Sequence, residues 1–88
     1  MNMTREELDS FEEFRGLKEY DGNNLELTPP QPQPGHVIHS AMNVDEARQL
    51  LAHPRCSPQY VERHTGDDRT VGYEVIFWEE RQPNDKSA

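Results

Sequence analysis

The clearest hydrophobic pattern lies near the end of the chain. From 69 to 79, apolar side chains alternate with the residues between them, and this period of two, rich in β-branched and aromatic residues, predicts a strand. One side of this strand carries Val71, Tyr73, Val75 and Phe77. We expect that side to meet a helix, while Ile76 and Trp78 lie on the other side near the strand's end.

A helical pattern precedes this strand. Val44, Ala47, Leu50 and Leu51 form one apolar stripe, which predicts a helix over 44–53. Asn43 is a suitable N-cap with Glu46 three residues later, and Pro54 ends the helix. Strands predicted at 37–40 and 60–64, with a turn at 65–68, complete a β-α-β-β unit containing a three-stranded sheet.

The N-terminal segment is predicted as a helix over 5–15. Thr4 and Glu7 have the spacing of a capping box, and Gly16 suits the position after the last turn. Leu8, Phe11 and Phe14 are spaced by three throughout, so their stripe drifts around a regular α-helix. We therefore expect this helix to rest on another part of the protein or to fold only when bound.

Residues 17–28 allow two interpretations. Two short runs around Asp21-Gly22 could form a hairpin, or the first run could end the helix and lead into an irregular loop. We favour the hairpin.

The proline-rich stretch at 29–35 is predicted to be a stiff linker. Proline lacks an amide donor and has a fixed φ, so four prolines here exclude a helix or a central strand. The spacing of Pro29 and Pro32 also fits a ligand of an SH3-type groove, but no basic residue flanks it. The predicted organisation is α+β: an acidic N-terminal segment at 1–28, the linker at 29–35, the β-α-β-β domain at 36–81, and a disordered tail at 82–88.

The size of the β-α-β-β unit sets a further expectation. It is too small for one hydrophobic core to suffice, and only 32% of the chain is hydrophobic. We expect the N-terminal segment, a second copy of the chain, or a partner to supply additional burial.

Charge is distributed unevenly along the chain. The net charge is −8, and residues 1–28 hold eight acidic and three basic residues, a balance of −5. Direct binding of nucleic acid is unfavourable, because Lys and Arg supply that affinity. A basic protein surface is the natural partner of such a segment, although the acids could serve only solubility.

One cysteine, Cys56, excludes an intrachain disulfide and favours a reducing compartment. No apolar run is long enough to span a bilayer, and the N-terminus does not have the pattern of a signal segment. We therefore expect a cytoplasmic protein with no membrane partner.

A zinc site is the main chemical alternative. His36, His39, His53 and Cys56 form two pairs that could supply four ligands. Two of these histidines are three apart on a strand, where side chains point to opposite faces. The competing interpretation places the histidines at the ends of elements and takes Cys56 as a small buried or half-exposed residue, without a metal.

Catalytic chemistry has little support in the sequence. Cys56 could pair with His53 or His64, but no orienting third group or oxyanion-hole loop is identifiable. The paired carboxylates are sequence neighbours that point in different directions, and no glycine-rich phosphate loop is present. We predict a protein that is not an enzyme and needs no cofactor.

Surfaces for a protein partner are the leading hypothesis. The predicted contact residues are Glu6, Glu7, Phe11, Glu12, Glu13, Phe14, Ile76 and Trp78. Acids mixed with aromatics can imitate the charge of a nucleic acid and dock in a basic groove. Alternatively, the N-terminal aromatics pack on the sheet and the acids face water. Ile76 and Trp78 could form a homodimer seam or lie beneath the N-terminal segment.

The sequence resembles no family known to us. Taken together, these features predict a small acidic inhibitor or adaptor, of phage or bacterial origin, that acts on a nucleic-acid-handling protein. The alternatives are a zinc-binding module and a small structural or oligomeric component.

Overall fold

A computed structural model describes residues 3–81, so the tail predicted at 82–88 lies outside the described residues. Two α-helices and a four-stranded mixed sheet confirm the α+β prediction. The helices are α1 (Arg5–Asp9) and α2 (Val44–Ala52), and a 3-10 turn spans Glu12–Phe14. The strands are β1 (Lys18–Asp21), β2 (His36–Ala41), β3 (Cys56–Thr65) and β4 (Val71–Glu80).

The sheet has one strand more than predicted. Its order is β1-β3-β4-β2, with β1 parallel to β3 and the other neighbours antiparallel. Lys18 is paired with Tyr60 and Asp21 with Arg63, so β1 covers an edge of β3 that would otherwise have unpaired backbone groups. The N-terminal segment and the β-α-β-β unit therefore share one sheet.

The hairpin predicted within 17–28 does not form. Its first arm becomes β1, but residues 25–28 contain no strand. The Asp21 carboxylate accepts a hydrogen bond from the backbone N–H of Asn23 at 2.9 Å, and the chain turns away from β1 instead of pairing back along it.

The helix predicted over 5–15 is also interrupted. The capping box at Thr4 forms as predicted, but α1 ends at Asp9 and Phe11 has an extended backbone before the 3-10 turn. A continuous α-helix would carry residues spaced by three around its surface. The interruption instead turns Leu8, Phe11 and Phe14 towards the same core, where their exposed fractions are 4%, 9% and 2%.

The main core lies between the sheet and the helical segments. The rings of Phe11 and Phe14 are 4.8 Å apart, and Phe14 meets Phe77 edge to face at 6.0 Å. The buried residues of this core are Met3, Leu8, Phe11, Phe14, Ala41, Ala47, Val61, Tyr73, Val75 and Phe77. The N-terminal segment thus supplies much of the burial that the small β-α-β-β unit lacks.

The other face of the sheet is covered near its centre. Tyr60 and Ile76 are opposite each other on this face and are only 4% and 5% exposed. Residues 22–35 join the two edge strands, and Pro29 lines a cavity with Tyr20 and Glu62, which belong to the same face. The proline-rich stretch therefore begins beside β1 and β3 on this face and ends at β2, on the far edge of the sheet.

Strand β3 begins earlier than predicted and contains an irregularity. The register with β4 shifts between Pro58 and Tyr60, which marks a β-bulge. A proline has no N–H for the ladder, and a bulge is one of the places where a strand tolerates it.

The cap of α2 gives a stability prediction. The Asn43 side chain accepts a hydrogen bond from the backbone N–H of Glu46 at 2.9 Å, as predicted for this N-cap. Asn43→Ala removes that acceptor and should lower the free energy of unfolding by about 1 kcal/mol in urea titrations. Asn43→Asp keeps the acceptor and is the control. Equal losses in the two variants would contradict a capping role.

Candidate functional site

Three strands bring their side chains together at one end of the helix-covered face. His39 of β2, Cys56 of β3 and Glu79 of β4 form this group, and their ligand atoms all lie within 4.8 Å of one another. Cys56 is directly opposite Glu79 in the β3–β4 ladder. His39 Nε2 lies 2.7 Å from Glu79 Oε1, which is a short hydrogen bond between adjacent strands. We call these three residues the His–Cys–Glu cluster.

The end of α2 adds two groups beside Glu79. His53, the C-cap residue, places Nε2 at 3.8 Å from Glu79 Oε2, and Arg55 Nη2 lies 3.6 Å from the same oxygen. The backbone N–H of Arg55 donates to His53 Nδ1 at 3.1 Å. That hydrogen bond assigns the proton of a neutral His53 ring to Nε2, which faces the carboxylate.

The charges in this cluster are arranged around the Glu79 carboxylate. The hydrogen bond from His39, followed by the nearby His53 and Arg55, lowers the pKa of Glu79, although partial desolvation opposes them. Burial, reinforced by the Glu79 charge, raises the pKa of the Cys56 thiol. Without a metal ion, the cluster therefore combines an ionised carboxylate with a protonated thiol at neutral pH.

Three of the four residues predicted as zinc ligands lie at this place. His39 and Cys56 belong to the cluster, and His53 borders it. His36 does not, because it lies on the opposite face of β2, where its ring is 5.8 Å from that of Trp78. The alternation of side chains along a strand separates the two histidines, as the sequence indicated.

Glu79 is the member that the sequence did not identify. Its position depends on strand register: it follows Phe77 by two residues and so faces the helices, and only the pairing with Cys56 places it at the centre. The sequence signal that could have identified Glu79 is the alternation along β4, because Glu79 follows Val75 and Phe77 on the same face of the strand.

A second group lies on the other face of the sheet. His64 Nε2 is 3.2 Å from Glu62 Oε1 and 2.9 Å from Glu74 Oε1, so one imidazole bridges carboxylates of two paired strands. A Cβ atom at Gly22 would collide with the His64 ring, which shows how closely the chain after β1 approaches this group.

The predicted partner-contact residues divide into two sets. Glu6, Glu7, Glu12 and Glu13 are exposed, whereas Phe11 and Phe14 belong to the core. Ile76 is buried, and Trp78 is half-buried. The aromatics are thus placed as the alternative interpretation expected, against the sheet with the acids towards water.

Seven of the exposed acids belong to the helical segments of the molecule. We call this set the acidic helical layer, comprising Glu6, Glu7, Asp9, Glu12, Glu13, Asp45 and Glu46. Arg5 pairs with Asp9 at 3.4 Å and with Glu19 at 3.3 Å, and the Arg48 guanidinium lies 6.0 Å from the centre of the Phe11 ring. Negative charge therefore prevails on this surface.

Comparison with protein-family models, curated proteins and solved structures finds no match to the chain. Among residues 3–81, no helix has both the length and the apolar character needed to cross a membrane.

Proposed function

We propose that this chain is a non-enzymatic protein-binding protein, an inhibitor or adaptor that docks on a basic surface of a nucleic-acid-handling protein. The observation that carries the proposal is the concentration of exposed carboxylates in the acidic helical layer. Such a surface is complementary to the Lys and Arg residues that normally contact phosphates, and it repels nucleic acid itself.

The buried aromatics change how this surface would work. Phe11 and Phe14 are in the core, so they hold the α1 segment on the sheet and are not anchors in a partner's pocket. Glu12 and Glu13 consequently project from a fixed turn. A pre-organised array of charges loses less conformational entropy on binding than a mobile helix would.

Charge reversal at the centre of the layer tests the proposal. We expect Glu12→Lys combined with Glu13→Lys to weaken binding of a basic partner at least tenfold, because attraction becomes repulsion at two neighbouring positions. Glu26→Lys combined with Asp67→Lys changes the net charge equally at exposed positions outside the layer. This control should retain most of the affinity.

The partner would be captured from a bacterial lysate on the immobilised full-length chain, identified by mass spectrometry, purified and measured by calorimetry at several salt concentrations. Affinity should fall as salt rises, and duplex DNA should compete for the partner. Recovery of partners without a basic surface, salt-insensitive binding, or equal effects of the two charge-reversed variants would contradict the proposal.

A further inference from the structure

We propose that the His–Cys–Glu cluster is a zinc-binding site, with His39 Nε2, Cys56 Sγ and one Glu79 carboxylate oxygen as the protein ligands. This inference is independent of the acidic helical layer. It rests on three side chains of different chemistry that meet from three adjacent strands.

The separations suit a tetrahedral ion after small side-chain rotations. Bonds of about 2.0–2.3 Å place neighbouring ligand atoms of a tetrahedral zinc site about 3.3–3.8 Å apart. The three ligand atoms already lie within 4.8 Å of one another, and the separation between His39 Nε2 and Glu79 Oε1 is 2.7 Å. The ion would enter between these two groups and replace their hydrogen bond.

The backbone fixes the site before any metal arrives. Cys56 and Glu79 are directly opposite each other in the β3–β4 ladder. His39 belongs to β2, which pairs with the other edge of β4. Ligands on paired strands are held more firmly than ligands on loops, so little chain ordering is required on binding.

The donor set selects the metal. A thiolate and an imidazole favour zinc over magnesium or calcium, which prefer oxygen ligands. Binding requires the Cys56 thiol to lose its proton to solvent, and His39 must present the lone pair of Nε2 with its ring proton on Nδ1. The Glu62, His64 and Glu74 group has no sulfur ligand, so a thiolate signature distinguishes the two sites.

His53 borders the Glu79 carboxylate and does not complete the coordination. Its Nδ1 already accepts the Arg55 N–H, and ligation through Nε2 would require a proton on Nδ1 and the loss of that hydrogen bond. His53 Nε2 lies 3.8 Å from Glu79 Oε2, too far for a hydrogen bond, so His53 is a polar neighbour of this ligand. The fourth coordination position is then left to water.

Arg55 competes with a metal ion for the Glu79 carboxylate, and a substitution of Arg55 tests this competition. Its guanidinium competes for Glu79 Oε2 from 3.6 Å, but its side chain is 40% exposed and can turn into solvent. Arg55→Gln should therefore bind zinc severalfold more tightly than the unaltered chain. If Arg55 contributed only to folding, its substitution would not increase the zinc affinity.

The experiment uses the full chain purified without chelator or histidine tag. Zn²⁺ affinity is measured by competition with a chromogenic chelator, and Co²⁺ is added to a second sample as a spectroscopic probe. We expect one strongly bound ion per chain and a thiolate-to-cobalt charge-transfer band. Cys56→Ser should abolish that band, and both Cys56→Ser and His39→Gln should weaken Zn²⁺ binding at least tenfold.

Two histidine variants are matched controls. His36→Gln alters the same strand on the opposite face, and His64→Gln alters the other carboxylate group. Both should keep the charge-transfer band and the zinc affinity, with circular dichroism verifying the fold of every variant. Absence of the band in the unaltered chain, its survival in Cys56→Ser, or loss of the strong site in His64→Gln would overturn the proposal.

Discussion

Replacing Phe14 with alanine should lower the free energy of unfolding by about 3–5 kcal/mol. The Phe14 side chain is 2% exposed and lies between Phe11 and Phe77. Its loss would open a cavity where the N-terminal segment meets the sheet. Small domains have total stabilities of about 5–15 kcal/mol, so this single change should remove a large fraction of the protein's stability.

Urea unfolding followed by circular dichroism measures this effect. Leu25→Ala is the control, because Leu25 is 96% exposed and its truncation should change the stability by less than about 0.5 kcal/mol. A loss below about 1 kcal/mol for Phe14→Ala would show that residues 3–17 do not form part of the core in solution.

Ile76→Ala should cost about 2–5 kcal/mol, although Ile76 lies on the face of the sheet opposite the helices. Its exposed fraction is 5%. We infer that residues 22–35, which run from β1 to β2 past this face, cover it there. Ile38→Ala is the matched control: it is the same substitution on the same face, at a β2 position that is 44% exposed.

The difference between these two isoleucine variants tests the covering segment. We expect Ile38→Ala to cost less than about 1 kcal/mol, since most of the removed surface already contacts water. Small, equal losses in both variants would show that the proline-rich stretch leaves this face open in solution. A monomeric chain with a large loss at Ile76 alone would exclude a homodimer seam as the cause of its burial.

The second half of the fold was predictable because its local and long-range signals agree. The alternation along β4 identified the face that meets the helices, and Asn43 and Pro54 marked the two ends of α2. In such segments the hydrophobic pattern, the caps and the final packing all favour the same structure.

The first third was less predictable because tertiary contacts decide its structure. The three-residue spacing of Leu8, Phe11 and Phe14 weakened the amphipathic signal of the helix predicted over 5–15, but it did not reveal that α1 ends at Asp9. The pairing of β1 with β3 joins residues some forty positions apart, and a four-residue strand carries no local mark of its partner.

The candidate sites show the same difference between features that are visible in the local sequence and features that depend on tertiary contacts. The charge of the acidic helical layer is visible in the sequence, but the burial of its aromatics depends on packing. In the His–Cys–Glu cluster, His39 and Cys56 were suggested by residue type, whereas Glu79 joins them only through the β3–β4 register. His36 was indistinguishable from His39 by type and was separated from it by strand alternation.

The central claim, that the acidic helical layer is the docking surface, is tested most directly by amide chemical-shift mapping. The ¹⁵N-labelled chain would be titrated with the purified basic partner at low salt. We predict that the largest shifts occur at residues 5–15 and 44–47 and disappear when salt is added. Shifts concentrated instead on the opposite face, around Ile38 and Trp78, would contradict the account.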